Sequence, residues 1–182
     1  MNKLNKYNEK RNFDKTPEPQ GIVKKNSKKL LFVIQKHHAT ALHYDFRIEV
    51  GGVLKSWAVP KGPSVNPSDK RLAMPTEDHP ISYSKFEGLI PNNNYGAGPV
   101  IIWDRGTYEN IKPESTEECL KRGLIEIEMN GEKMKGKYAL VRGRPQKRTP
   151  WFLVKMKDDY AHKEYKNSEK SIVSGKTIDQ IN

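Results

Sequence analysis

The feature that most constrains this chain is the run Gln35-Lys36-His37-His38-Ala39-Thr40-Ala41-Leu42-His43-Tyr44-Asp45-Phe46-Arg47. Three of the five histidines fall within seven positions of it. From Leu42 the pattern alternates strictly. Leu42, Tyr44, Phe46 and Ile48 are apolar, and His43, Asp45 and Arg47 lie between them. Successive side chains on a strand point to opposite faces. A strand here has one apolar face and one carrying an imidazole, a carboxylate and a guanidinium in a row. Burying such a row is costly unless it holds a metal or an anion. Gly51-Gly52 then reads as a two-residue hairpin turn, with Val53 to Val59 as the returning strand.

The same grammar runs along the rest of the chain. Leu30 to Ile34 reads as a buried strand, and a loop through His37, His38 and Ala39 leads into the alternating segment. Pro60 to Ser64 is a loop, and Arg71 to Thr76 is a further strand. Glu77-Asp78-His79-Pro80 is a polar connection, and Phe86 to Gly98 is a long surface loop. Val100 to Trp103 is a strand that continues at Thr107-Tyr108 past a bulge at Gly106. Ser115 to Gly123 has the marks of a helix: an N-cap, acids in its first turn, bases in its last and a glycine stop. Leu124 to Met129 alternates again, and Asn130-Gly131 signals a type I′ hairpin. Lys137 to Val141 and Trp151 to Met156 complete the β pattern, one short helix is expected after Asp158, and the last dozen residues read as loose. The fold class is mainly β: a compact antiparallel barrel with one or two short helices. Its strands are too close together for parallel crossovers, which need about a dozen residues or more.

Three segments follow from this: a basic arm over 1–28, a barrel over 29–162 and a polar tail over 163–182. The net charge of +11 points to a polyanionic partner, most simply nucleic acid. Within residues 1–30, nine Lys or Arg face three Asp or Glu. The single cysteine, Cys119, excludes an internal disulfide framework and fits a reducing cytoplasm. Neither a signal peptide nor a run long enough to span a membrane is present.

His43 and Asp45, two positions apart, place two ligands on one strand face. One more histidine, His37 or His38, completes a two-histidine, one-carboxylate set suited to Mn²⁺, Fe²⁺ or Zn²⁺. Arg47 shares that face, either paired with Asp45 or clamping phosphate. Lys61 and Arg71 are further phosphate-binding candidates. His79 could stabilise charge or protonate a leaving oxygen. Tyr83 and Tyr95 could stack a base or bond to phosphate, while Trp57, Trp103 and Trp151 read as core. Motifs of Walker, serine-hydrolase or nucleotidyl-ligase type are absent. A nonenzymatic nucleic-acid-binding barrel is the alternative to a metal-dependent enzyme. A non-haem iron oxygenase ranks third, because it leaves the basic residues unexplained.

Several blocks then stand in a fixed order: Gln35 to Ala39, Leu42 to Arg47, Trp57 to Ser64, Glu77 to Pro80, Phe86-Glu87-Gly88 and Tyr95-Gly96-Ala97-Gly98. Together they resemble the 3′-phosphoesterase domain of bacterial and archaeal DNA ligase D, from about Tyr7 to Tyr160. The resemblance implies a Mn²⁺-dependent enzyme, with Zn²⁺ or Co²⁺ as other occupants, that heals 3′ ends in end joining. It would take a terminal ribonucleoside from a DNA or DNA–RNA primer–template and then the remaining 3′-phosphate. It implies a barrel with the site in its cavity. It also implies His37, His43 and Asp45 as metal ligands, and His79 and Arg47 on the scissile phosphate. Gln35, Lys61, Arg71, Glu77 and Tyr83 match further site residues, and Arg11 and Glu18 match an arm used for diester cleavage. The family arm usually reads Arg-Asp-Phe, where this chain has Arg11-Asn12-Phe13. Before Tyr95, Asn94 stands where the family usually has a glycine. With no room for polymerase or ligase, the expectation is a standalone form whose ligase, polymerase and Ku partners are separate proteins.

Overall fold

A computed structural model describes residues 3–23, 29–164 and 168–181. The end of the expected arm at 28, and residues 165–167 of the expected tail over 163–182, lie outside the described residues. Nine strands form one antiparallel sheet: β1 (Leu31–His38), β2 (Leu42–Val50), β3 (Val53–Val59), β4 (Arg71–Pro75), β5 (Gly88–Ile90), β6 (Gly98–Asn110), β7 (Leu124–Gly131), β8 (Lys135–Arg142) and β9 (Trp151–Lys155). The order β1-β2-β3-β4-β9-β8-β7-β6 closes on itself where β6 pairs with β1, and β5 adds a short strand to β6. The result is the closed antiparallel barrel expected from the pattern.

Strand alternation decides what lies on each side of the wall. Phe46, Ile48 and Val50 of β2 join Phe32, Trp57, Trp103, Ile127, Tyr138, Trp151 and Leu153 in the barrel interior. The opposite face of β1 and β2, with Val33 and Ile102, packs under Leu4, Tyr7, Tyr83, Phe86 and Ile90. The interior is therefore filled with aromatic and aliphatic side chains. The polar row of β2 lies on the outer face of the wall, so the expectation of a site inside the barrel is corrected to a site against its outside.

Two α-helices are present among the described residues. α1 (Asn5–Glu9) belongs to the N-terminal arm, where sequence alone indicated none, and Leu4 and Tyr7 beside and within it are fully buried. α2 (Thr116–Arg122) is the expected one, with Ser115 and Glu118 forming a capping box. The short helix expected after Asp158 is a single 3-10 turn at Ile178–Gln180, capped by Thr177; the Asp158 carboxylate itself accepts from Lys155, the Lys137 amide and the Tyr160 amide. The described part of the tail is docked rather than loose. Ile172 donates its amide to Ile102, Ser171 donates to Glu87, and the indole of Trp103 donates to the Ser168 carbonyl. These bonds fill the stretch of β6 that neither β5 nor β7 covers.

Two turn assignments also shift. The hairpin after β7 turns over Glu132–Met134, not at Asn130-Gly131, because the Asp104 carboxylate accepts the Glu132 and Met134 amides. Gly131 and Gly106 serve close packing instead: a Cβ at Gly106 would lie 2.1 Å from the Asn130 carbonyl oxygen. The β6 bulge falls at Trp103 rather than Gly106, since Ile34 faces Asp104 while Gln35 faces Ile102. At Gly51-Gly52 both residues have left-handed φ, 60° and 82°, as a type I′ turn requires. No helix among the described residues is long and apolar enough to cross a membrane.

Candidate active site

β1 and β2 run antiparallel with His37 directly opposite His43 and Gln35 opposite Asp45. β1 extends through His38, so His37 reaches the site from a strand end and not from a loop. His37, being in phase with Gln35, points to the site face; His38 is exposed on the other. The ligand-capable atoms of His37, His43 and Asp45 lie within 4.8 Å of one another.

The hydrogen bonds around these rings orient them. His37 Nε2 is 2.8 Å from the Gly96 carbonyl oxygen, and His43 Nδ1 is 2.9 Å from that of Ala41. Each ring donates there, which leaves the lone pairs of His37 Nδ1 and His43 Nε2 facing Asp45 Oδ2, both at 3.6 Å. Metal-binding histidines characteristically give their second N–H to such an acceptor. A first-row divalent ion bonds nitrogen and oxygen at about 2.0–2.2 Å, and the donor set suits one. Burial opposes charge on Asp45, but Arg47, His37 and His43 outweigh it and hold its carboxyl well below the usual range. Burial likewise opposes charge on His43, yet Asp45 raises its pKa above the ordinary value. A metal here therefore competes with a proton.

Arg47 is saturated. Its Nε donates to Gln35 Oε1 at 2.8 Å, Nη2 to Asp45 Oδ2 at 3.0 Å and Nη1 to His79 Nδ1 at 2.9 Å. Gln35 is in turn fixed by donating to the Tyr83 and Phe86 carbonyls. The Tyr83 ring lies 5.0 Å from the guanidinium and 4.8 Å from the His79 ring. Burial and the neighbouring Arg47 and Arg11 hold the His79 pKa well below its ordinary 6.5. The ring is thus neutral, with its Nδ1 held between Arg47 Nη1 and the Glu77 carbonyl oxygen, both at 2.9 Å. Because folding favours the neutral ring, its contribution to stability is complete above about pH 6.5 and is lost as pH falls through the folded pKa. Urea unfolding between pH 6.5 and 5 should therefore steepen by up to about 1.4 kcal/mol per pH unit relative to His79→Asn.

The N-terminal arm covers this group. Arg11 donates to Glu18 Oε1 at 2.9 Å and to Glu77 Oε1 at 3.3 Å, and its Nη2 lies 3.5 Å from His79 Nε2. Tyr7, missed by sequence reading, packs its ring edge on His79 at 5.1 Å and lies under the Arg11 guanidinium. Lys10 bridges Glu77 and the Tyr95 hydroxyl at 3.0 and 3.2 Å. Ser56, also missed, sits 3.3 Å from His79 Nδ1. These residues enclose a cavity of about 270 Å³ lined by Arg11, His37, His43, Asp45, Arg47, Glu77, His79, Tyr83 and Tyr95. Asn12 is outside it: its side chain is exposed and accepts the Asp14 amide in a local turn.

The profile of the DNA ligase D 3′-phosphoesterase domain matches residues 35–142, more than half of the chain. The chain belongs to the DNA ligase D 3′-phosphoesterase family. It is 49% identical over 161 residues to the multifunctional non-homologous end joining protein LigD of Pseudomonas aeruginosa, covering 87% of this chain and 19% of that protein. The Mycobacterium tuberculosis LigD (strain H37Rv) is 47% identical over 141 residues, covering 77% and 18%. That of Mycolicibacterium smegmatis is 44% identical over 161 residues, covering 86% and 21%. The chain spans about a fifth of the length of these curated relatives.

The profile of the 3′-phosphoesterase family covers the three ligand candidates, Gln35, Arg47, Glu77, His79 and Tyr83, but not Arg11 or Glu18. Two expected phosphate contacts stand apart from the cavity. Lys61 is exposed in the loop after β3, and Arg71 donates to Asp69 at 2.9 Å. Lys61 lies where only the chain's path between strands decides the direction of the side chain, whereas Arg71 is the first residue of β4, opposite Leu153.

Proposed function

We propose that this family member is a Mn²⁺-dependent, 3′-end-healing phosphoesterase. It removes a 3′-terminal ribonucleoside and then the 3′-phosphate, leaving a 3′-hydroxyl. The observation that carries this reading is one cavity holding both the His37, His43 and Asp45 lone pairs and the Arg47–His79 pair. A purely nucleic-acid-binding surface has no need of two imidazoles turned by backbone acceptors toward one carboxylate oxygen. The names of the curated relatives support an end-joining setting.

His37, His43 and Asp45 would hold the ion, Mn²⁺ or another divalent metal such as Zn²⁺ or Co²⁺. When bound, it supplies Lewis-acid neutralisation of phosphate charge and activation of water. The chain's own groups do the rest. Arg47 faces the phosphate oxygens with a guanidinium already aimed by Gln35 and Asp45, so little reorganisation accompanies the build-up of charge. In its Nε2–H form, His79 donates to the same oxygens, or to the leaving oxygen as its bond to phosphorus breaks. Tyr83 and Tyr7 wall off bulk water from these polar groups. Arg11, aligned by Glu18 and Glu77, reaches the cavity from the arm side, where the departing nucleoside of the diester step would lie. Lys61 and Arg71 would contact the strand beyond the cavity. The substrates are DNA or DNA–RNA 3′ ends, with a DNA ligase, a polymerase and Ku as the partners in a reducing cytoplasm.

A labelled primer–template ending in one ribonucleotide or in a 3′-phosphate tests this. Shortening and phosphate release with Mn²⁺, abolished by a chelator and restored by added metal, is expected. A protein that binds the primer–template but leaves both ends intact with Mn²⁺, Zn²⁺ and Co²⁺ overturns the reading.

A further inference from the structure

Among the described residues lining this cavity, Tyr95 is a large side chain left half exposed: 50% of its surface is open, while Tyr83 is buried. Its loop is built to hold it there. Asn93 and Gly96 take left-handed φ of 68° and 74°, and Asn94 donates its side-chain amide to Pro91 and to Lys15 of the arm. The next residue, Gly96, gives its carbonyl to His37, so the ring is one residue from a ligand candidate. Lys10 stands 4.3 Å from the ring centroid, placing a cation beside it. An exposed aromatic ring next to a cation, at the rim of a phosphate site, is how sequence-tolerant single-strand binders hold a base.

We infer that Tyr95 is the platform on which the terminal base of the 3′ strand stacks, so that its 3′-phosphate reaches His37, His43 and Asp45. This rests on the proposed phosphoesterase reading and adds the group that selects a nucleotide end over a bare phosphate ester. Stacking on a tyrosine face is worth about 1–3 kcal/mol per base and is blind to base identity. Tyr95 is a binding residue in this scheme, so its effect falls on KM rather than on kcat.

The test pairs two changes, one in the protein and one in the substrate. A strand ending in a normal 3′-phosphorylated nucleotide is compared with one whose terminal nucleotide is abasic. For the native protein, loss of the base should raise KM about tenfold, at the low end of the stacking range. Tyr95→Ala should raise KM for the normal end by the same factor, with no further loss on the abasic end. Tyr95→Phe, which keeps the ring and loses only the Lys10 hydrogen bond, should restore native KM. Tyr95→Trp should show fluorescence quenching on adding a 3′-phosphorylated strand and none with an abasic end. The inference is overturned if the effects of Tyr95→Ala and the abasic end simply multiply. It is also overturned if Tyr95→Phe is as impaired as Tyr95→Ala, which assigns the role to the Lys10 contact. A native protein inactive on every 3′ end defeats the phosphoesterase reading itself, a separate outcome from either.

Discussion

Asp45→Asn is expected to lower phosphate release from a 3′-phosphorylated primer by on the order of 10³-fold and to weaken Mn²⁺ binding by more than about 100-fold. Asp45 Oδ2 is the atom toward which both imidazoles turn, at 3.6 Å each, and it also takes the Arg47 Nη2 hydrogen bond. The amide keeps the shape but removes the charge that draws a cation between the rings. It also leaves the guanidinium without its anion in a buried place, which costs more than an exposed pair would. Isothermal titration with Mn²⁺ and a phosphate-release assay read the two losses separately. Unchanged Mn²⁺ affinity in a folded Asp45→Asn protein would show that the ion sits elsewhere.

How far the site could be read from sequence depends on which part is local. The alternation of His43, Asp45 and Arg47 with Tyr44, Phe46 and Ile48 is a property of one strand, and it placed the three polar groups on one face. The same pattern cannot say whether that face looks into or out of a closed barrel, because either side may be buried. It is the packing of the arm, the Tyr83 turn and β5 on the outside that buries it here. His37 over His38 was likewise beyond spacing. The choice hangs on β1 running on to His38, which pairing with β2 and β6 enforces. The arm was legible only by resemblance. Its polar, basic composition describes a disordered tail, and Arg11, Tyr7 and Lys10 reach the site through partners more than sixty residues away, Glu77 and His79. The Asn130-Gly131 signal failed for a related reason: a distant carboxylate, Asp104, captured the turn's amides and moved the reversal forward.

Arg47→Lys keeps the charge and isolates the geometry, and it is expected to lower kcat by about 10²–10³-fold with KM changed far less. The native guanidinium uses three different nitrogens on three partners, Gln35, Asp45 and His79. A lysine ammonium is a single point donor on a flexible stem and cannot hold all three directions at once. Two consequences separate this from simple destabilisation. First, Gln35 Oε1 loses a buried donor, an effect of about 1–3 kcal/mol that thermal unfolding would read. Second, His79 Nδ1, held between Arg47 Nη1 and the Glu77 carbonyl at 2.9 Å each, loses the guanidinium donor and keeps the carbonyl acceptor, which favours the tautomer with its hydrogen on Nδ1. The imidazole would then present a lone pair, not an N–H, toward the phosphate. Nitrogen NMR of the His79 ring, which distinguishes the two tautomers, should show that change in Arg47→Lys and not in a variant outside the cavity such as Lys61→Ala. A variant that keeps the native tautomer and native kcat would mean that charge alone, without the fork, is what the phosphate requires.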